Sequence, residues 1–125
     1  MRPIGRTVYV VLTWLFVIGL FVQVFLAGRG VFDNPLLFGT HRDFGYLLEI
    51  VPVLLLIVGL VAGVGRRLSA FAIVAFLLFL LQSVLVAARD SSPTIAALHP
   101  VNGFLIVLIA IAMAREAWLM RSTAA

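Results

Sequence analysis

TVYVVLTWLFVIGLFVQVFLAG, residues 7–28, runs for 22 positions without a charged side chain. About 20 consecutive apolar residues suffice for a helix to cross the hydrocarbon core of a bilayer. A cleaved leader would carry a shorter apolar core of ~7–15 residues, so this stretch reads as a retained transmembrane helix. Three more follow in the 125-residue chain. Leu68–Ala88 is again uncharged; Gly45–Gly65 is interrupted only by Glu49; Pro100–Ala114 is carried past Arg115 by Ala117-Trp118-Leu119-Met120. With 64% hydrophobic and 11% charged residues and a mean hydropathy of +1.23, an ordinary soluble domain is excluded. The expectation is a single all-α domain of four transmembrane spans, about 7–28, 41–64, 68–88 and 99–120. The chain has no cysteine, which removes disulfides and thiolate metal sites from consideration.

The net charge of +4 comes from nine arginines placed where spans end. Arg2, Arg6, Arg66, Arg67, Arg115 and Arg121 fall on one side of the four-span layout. Arg29, Arg42 and Arg89 fall on the other, beside Asp33, Asp43 and Asp90. By the positive-inside rule both termini are expected in the cytoplasm of a cell-membrane protein. The basic balance then flanks a membrane, and no nucleic-acid partner is implied.

The connections are short. Gly30, Asp33, Asn34, Pro35 and Gly39 mark the first, about 29–40; Gly65-Arg66-Arg67 is read as the second; Asp90-Ser91-Ser92-Pro93 lies in the third, about 89–98. Short links between apolar helices make antiparallel neighbours, hence an up-down-up-down bundle. The two halves also repeat. Gln23 late in the first span and His41 opening the second are 18 positions apart; Gln82 and His99 are 17 apart in the second half. GTHRDFGYLL (39–48) and ALHPVNGFLI (97–106) share a frame in which His is followed at i+4 by Gly, then an aromatic, then Leu. Two duplicated hairpins, related by a twofold axis along the membrane normal, would bring the only two histidines to one depth.

Gly45 and Gly103 sit one turn from these histidines on the same helix face. Glycine inside a helix costs ~1 kcal/mol against alanine, so the pair points to a close approach, either of neighbouring helices or of a planar ligand. A porphyrin is one such ligand: two imidazoles on facing helices can hold its iron from opposite sides. Leu48, Pro52, Ile106 and Ala110 would line its edge. Arg42, Arg29 and Arg89 could pair with propionates as arginine does with carboxylates, or could simply anchor the interface. Gln23 and Gln82 could orient the axial imidazoles, or only bond helix to helix. Glu49 is the one acid well inside a span; intramembrane carboxylates are functional candidates, either bonded to Gln23 or Gln82 or carrying protons. Gly59 and Gly63 form a Gly-x-x-x-Gly step suited to helix packing within the bundle or in a homo-oligomer. Pro52 is expected to kink the second span.

His-Arg at 41–42 opening the second span, a second His opening the fourth, and the repeated hairpins resemble one half of heme A synthase. That family holds a b-type heme between two such histidines in a four-helix bundle. Its Glu-x-x-His-Arg signature would put an acid at position 38, where this chain has Phe38, so the enzymatic activity is not implied. The chain also resembles an uncharacterised family of small four-helix bacterial membrane proteins, through Phe-Leu-Ala-Gly at 25–28, His-Arg at 41–42 and Leu-His-Pro-Val-Asn-Gly at 98–103. That resemblance implies the fold and no activity.

The leading expectation is therefore a membrane b-type cytochrome with one heme b between His41 and His99 near the extracytoplasmic face, for electron transfer or heme carriage. It would exchange electrons with a membrane quinol or a redox partner protein. Two alternatives stand beside it. One is a heme-free scaffold or accessory subunit; the other is a transition-metal site in which Asp43 or Asp90 joins the histidines.

Overall fold

The computed structural model describes the backbone of residues 2–122 and the side chains of 3–120. The side chains of Arg2 and Arg121 lie outside that range. Four long helices carry the chain: α1 (Arg2–Phe32), α2 (Phe38–Ala62), α3 (Arg66–Ala87) and α5 (His99–Ser122), with a one-turn α4 (Pro93–Ala96) before the last. Each long segment is apolar enough to cross a membrane. Among the described residues there is no strand.

The helices run further than the apolar stretches alone suggest, and the links shrink to match. α1 has 31 residues, ~46 Å at 1.5 Å each, well beyond the ~30 Å hydrocarbon core. The first connection is only residues 33–37. Asn34 opens it, its side chain accepting from the Leu36 amide at 2.9 Å, and Pro35 begins a single 3-10 turn. The second connection is Gly63-Val64-Gly65, two residues earlier than the expected turn, and Arg66 and Arg67 already belong to α3. Both its glycines have positive φ, 63° and 93°, which side chains resist. Gly63 therefore caps α2 rather than packing a neighbouring helix. Gly59 does pack, against Tyr9 and Val64 inside this bundle. The third connection is partly helical, with a 3-10 turn at Ala88–Asp90 followed by α4. α2 continues through Pro52 as one helix.

Going round the bundle the order is α1, α2, α3, α5, each packed on the next and α5 closing on α1. α2 and α5 are thus diagonal, as are α1 and α3. Burial follows the duplication. Tyr9, Thr13, Phe16 and Leu20 of α1 are buried, and so are Leu68, Ala72, Ala75 and Phe79, each 59 positions later in α3. Leu48, Pro52, Leu55 and Gly59 of α2 are matched by Ile106, Ala110, Met113 and Ala117, each 58 later in α5. The repeat is therefore a property of the core.

Equivalent residues that touch one another must stand at the axis relating the halves. Two pairs do. The Tyr9 hydroxyl donates to the carbonyl of its counterpart Leu68 at 3.4 Å, and His41 meets His99 ring to ring. These pairs mark opposite ends of the bundle, Tyr9 near the termini and the histidines at the far end. Lipid tails are as apolar as leucine, so helix association here rests on close packing and interhelical hydrogen bonds. A Cβ at Gly19 would lie 2.7 Å from a Leu48 methyl, and one at Gly5 would lie 3.0 Å from the Ala62 Cβ. Small residues on α1 thus let α2 approach closely.

Candidate functional site

His41 stands on the fourth residue of α2 and His99 on the first of α5. From these diagonal helices both rings reach the bundle axis, where their centroids are 6.2 Å apart and their planes 72° to one another. The expected juxtaposition at one depth is what the backbone delivers.

Each histidine is met by the glutamine of its own hairpin. Gln23 of α1 and His41 grip each other reciprocally. His41 Nδ1 donates to the Gln23 carbonyl at 3.0 Å, and Gln23 Nε2 donates to the His41 carbonyl at 2.8 Å. A carbonyl can only accept, so Nδ1 carries the proton and Nε2 keeps its lone pair. The Gln23 amide nitrogen lies 3.5 Å from that Nε2. In the second half the Gln82 amide nitrogen approaches His99 Nε2 at 3.3 Å. His99 Nδ1 has no hydrogen-bond partner in good geometry among the described residues.

The glycines are explained by these amides. A Cβ on Gly45 would sit 2.8 Å from Gln23 Nε2, and one on Gly103 would meet Gln82 Nε2 at 3.5 Å. In both halves the notch beside the imidazole is filled by the glutamine side chain. Close approach is thus real, and what approaches is a neighbouring helix's amide.

Two residues with no role assigned from sequence complete the cluster. Asn102, one turn after His99 and only 4% exposed, donates to the Leu78 carbonyl at 2.8 Å and to Gln82 Oε1. It locks the second glutamine in place. Its repeat counterpart is Phe44, so the first glutamine has no such partner. A polar amide at a helix position between two apolar neighbours was the available signal. Phe38 sets its ring edge toward His41, with centroids 6.4 Å apart and planes at 86°; its place three residues before His41, one helical turn away, could have suggested this.

Three of the four buried polar side-chain atoms that lack a partner among the described residues belong here: Gln23 Oε1, His99 Nδ1 and Asn102 Oδ1. Buried polar groups are normally satisfied, and a concentration of exceptions marks a site rather than a core. The arginines at this end are engaged locally. Arg29 pairs with Asp33, Arg42 with Asp43 at 2.9 Å and Arg89 with Asp90 at 3.5 Å, all largely exposed. Among the described residues no third His, Cys, Asp or Glu gathers with the two histidines. Glu49, half-buried, makes no hydrogen bond or ion pair with a described residue. Gln23 turns to His41, and Gln82 to His99 and Asn102, so neither glutamine bonds Glu49.

Fold and site together define a class: a small membrane-spanning helical bundle with a histidine pair and its amides on the axis. The chain belongs to DUF6220, a family of unknown function, whose match runs over residues 23–89 and takes in Gln23, His41 and Gln82. No curated protein and no solved structure matches it.

Proposed function

We propose that this protein is a membrane b-type cytochrome that holds one heme between His41 and His99. The observation that carries the reading is the placement of the two imidazoles. His41 and His99, one from each of two diagonal helices, would hold the iron between them, and their ring centroids meet at the bundle axis 6.2 Å apart. The residues present fit the group in one further way. His41 already has the tautomer of a ligand, since Nδ1–H donates to the Gln23 carbonyl and the lone pair stays on Nε2.

A bound heme would supply one-electron chemistry at a potential set by axial ligands, burial and nearby charge. This chain's own residues would do the rest. His41 and His99 would coordinate it, Gln23 and Gln82 would position them, and Gly45 and Gly103 leave room for those two glutamine side chains. Arg29, Arg42 and Arg89 offer cations at the same end for propionates. The hairpin layout, which resembles one half of heme A synthase, supports the same assignment. With one imidazole from each hairpin holding it, the heme would serve electron transfer or heme carriage, exchanging with a quinol or a redox protein. The excess of arginine at the end bearing the termini argues for a cell-membrane protein with both termini in the cytoplasm.

One observation favours a second reading, a heme-free scaffold or accessory subunit. Both Nε2 atoms already lie within 3.5 Å of a glutamine amide nitrogen, so the cluster can act as interhelical glue. A reduced-minus-oxidised spectrum of protein purified from heme-replete cells separates the two. A Soret band with sharp α and β bands on reduction is expected; a colourless preparation leaves the scaffold.

A further inference from the structure

The other end of the bundle carries a site of a different kind. Between α1 and α5, facing outward, a groove is lined by Trp14, Ile111, Arg115, Trp118 and Leu119. Its walls are apolar, and the side chains forming them are exposed. It therefore opens sideways from segments that cross the membrane. The Arg67–Glu116 ion pair, 3.2 Å, ties α3 to α5 beside it and marks the level of this end's charged belt. Arg115 shares that level but points into the groove, where it forms no ion pair with a described residue. Arg67 has Glu116 and Arg6 has the Gly63 carbonyl; the Arg115 guanidinium has an apolar trough. Ile111 lies one turn, ~6 Å, deeper toward the bilayer centre, so the trough leads from the charged belt toward acyl-chain depth.

We propose that this groove binds one anionic phospholipid of the adjoining leaflet, its phosphate on Arg115 and an acyl chain along Trp14 and Ile111. A planar guanidinium matches phosphate through paired hydrogen bonds, and indoles favour the headgroup boundary where Trp118 stands. The apolar walls would leave a free inorganic anion without favourable contact, and the sideways opening faces lipid rather than water. Within the groove Arg115 is the cation that would select an anionic headgroup. None of this depends on heme.

The chain's only two tryptophans, Trp14 and Trp118, both line the groove, so their fluorescence reports its occupant. The protein would be reconstituted in vesicles of phosphatidylcholine and phosphatidylglycerol, with brominated acyl chains on one lipid or the other. Quenching by the brominated anionic lipid should exceed quenching by the brominated zwitterionic lipid by about fivefold in apparent affinity, the size expected of one arginine at a membrane surface. Arg115→Gln should abolish that preference, while Arg66→Gln, outside the groove, should leave it intact. Equal quenching by both lipids in the unaltered protein overturns the assignment. So does a preference that survives Arg115→Gln, or one that falls equally with Arg66→Gln.

Discussion

Gly45 and Gly103 occupy the same place in the repeat, yet the space beside them differs. At Gly45 a methyl group would displace the Gln23 amide, 2.8 Å away, and with it the bond to the His41 carbonyl. At Gly103 the corresponding contact is 3.5 Å, an ordinary van der Waals distance. Alanine is favoured over glycine in a helix by ~1 kcal/mol. Gly103→Ala should therefore raise thermal stability in detergent, and Gly45→Ala should fall below it because it loses the hydrogen bond. The histidines are unequal in the same sense. His41 is fixed by the Gln23 carbonyl and the Phe38 ring edge, whereas His99 Nδ1 has no well-formed hydrogen bond among the described residues. If the pair holds heme, His41→Ala should abolish the Soret band. His99→Ala should retain part of it, shifted toward a five-coordinate spectrum. Unchanged spectra in both variants would remove the ligand assignment.

At the scale of the element, the α2–α3 turn shows how far glycine content can be read. The sequence marks a tight glycine-bearing link, but both the register and the roles differ from expectation. Gly63 adopts a left-handed cap and Gly65, at φ 93° and ψ 165°, an extended mirror region reserved for glycine. Alanine at Gly63 should cost ~1–2 kcal/mol, and alanine at Gly65 should cost at least as much. Equilibrium unfolding of the two variants in mixed micelles checks the order. Neither substitution meets any atom within 4 Å, so the cost is one of backbone conformation alone.

For the molecule as a whole, the duplication produces unequal volumes at equivalent core positions. Phe16 in the first half corresponds to Ala75 in the second, and Thr13 to Ala72; Phe16 instead packs toward Phe79, ring centroids 6.1 Å apart. Phe16 of α1 thus reaches across the diagonal to α3, meeting Phe79 one turn from Ala75. Ala75→Leu, at a position with no exposure, should therefore overpack the centre and destabilise by ~1–3 kcal/mol. Combining it with Phe16→Val should recover part of that loss. A purely additive double variant, read from the same unfolding measurement, would mean that the two positions do not share one space.

The class, the four spans, the duplicated hairpins and the shared depth of His41 and His99 were all determined by the sequence. Charge-free length and recurring motifs are local along the chain and need no knowledge of rotation about a helix axis. Tertiary structure alone decided the partners. Which glutamine atom meets which imidazole, that Gln23 and Gln82 rather than a ligand fill the glycine notches, and that Asn102 locks only one of them all depend on helix rotation and crossing. In a membrane, lipid-facing and core-facing positions are both apolar, so hydropathy does not report that rotation. Only packing fixes it, and with it the difference between two histidines that the repeat makes look alike.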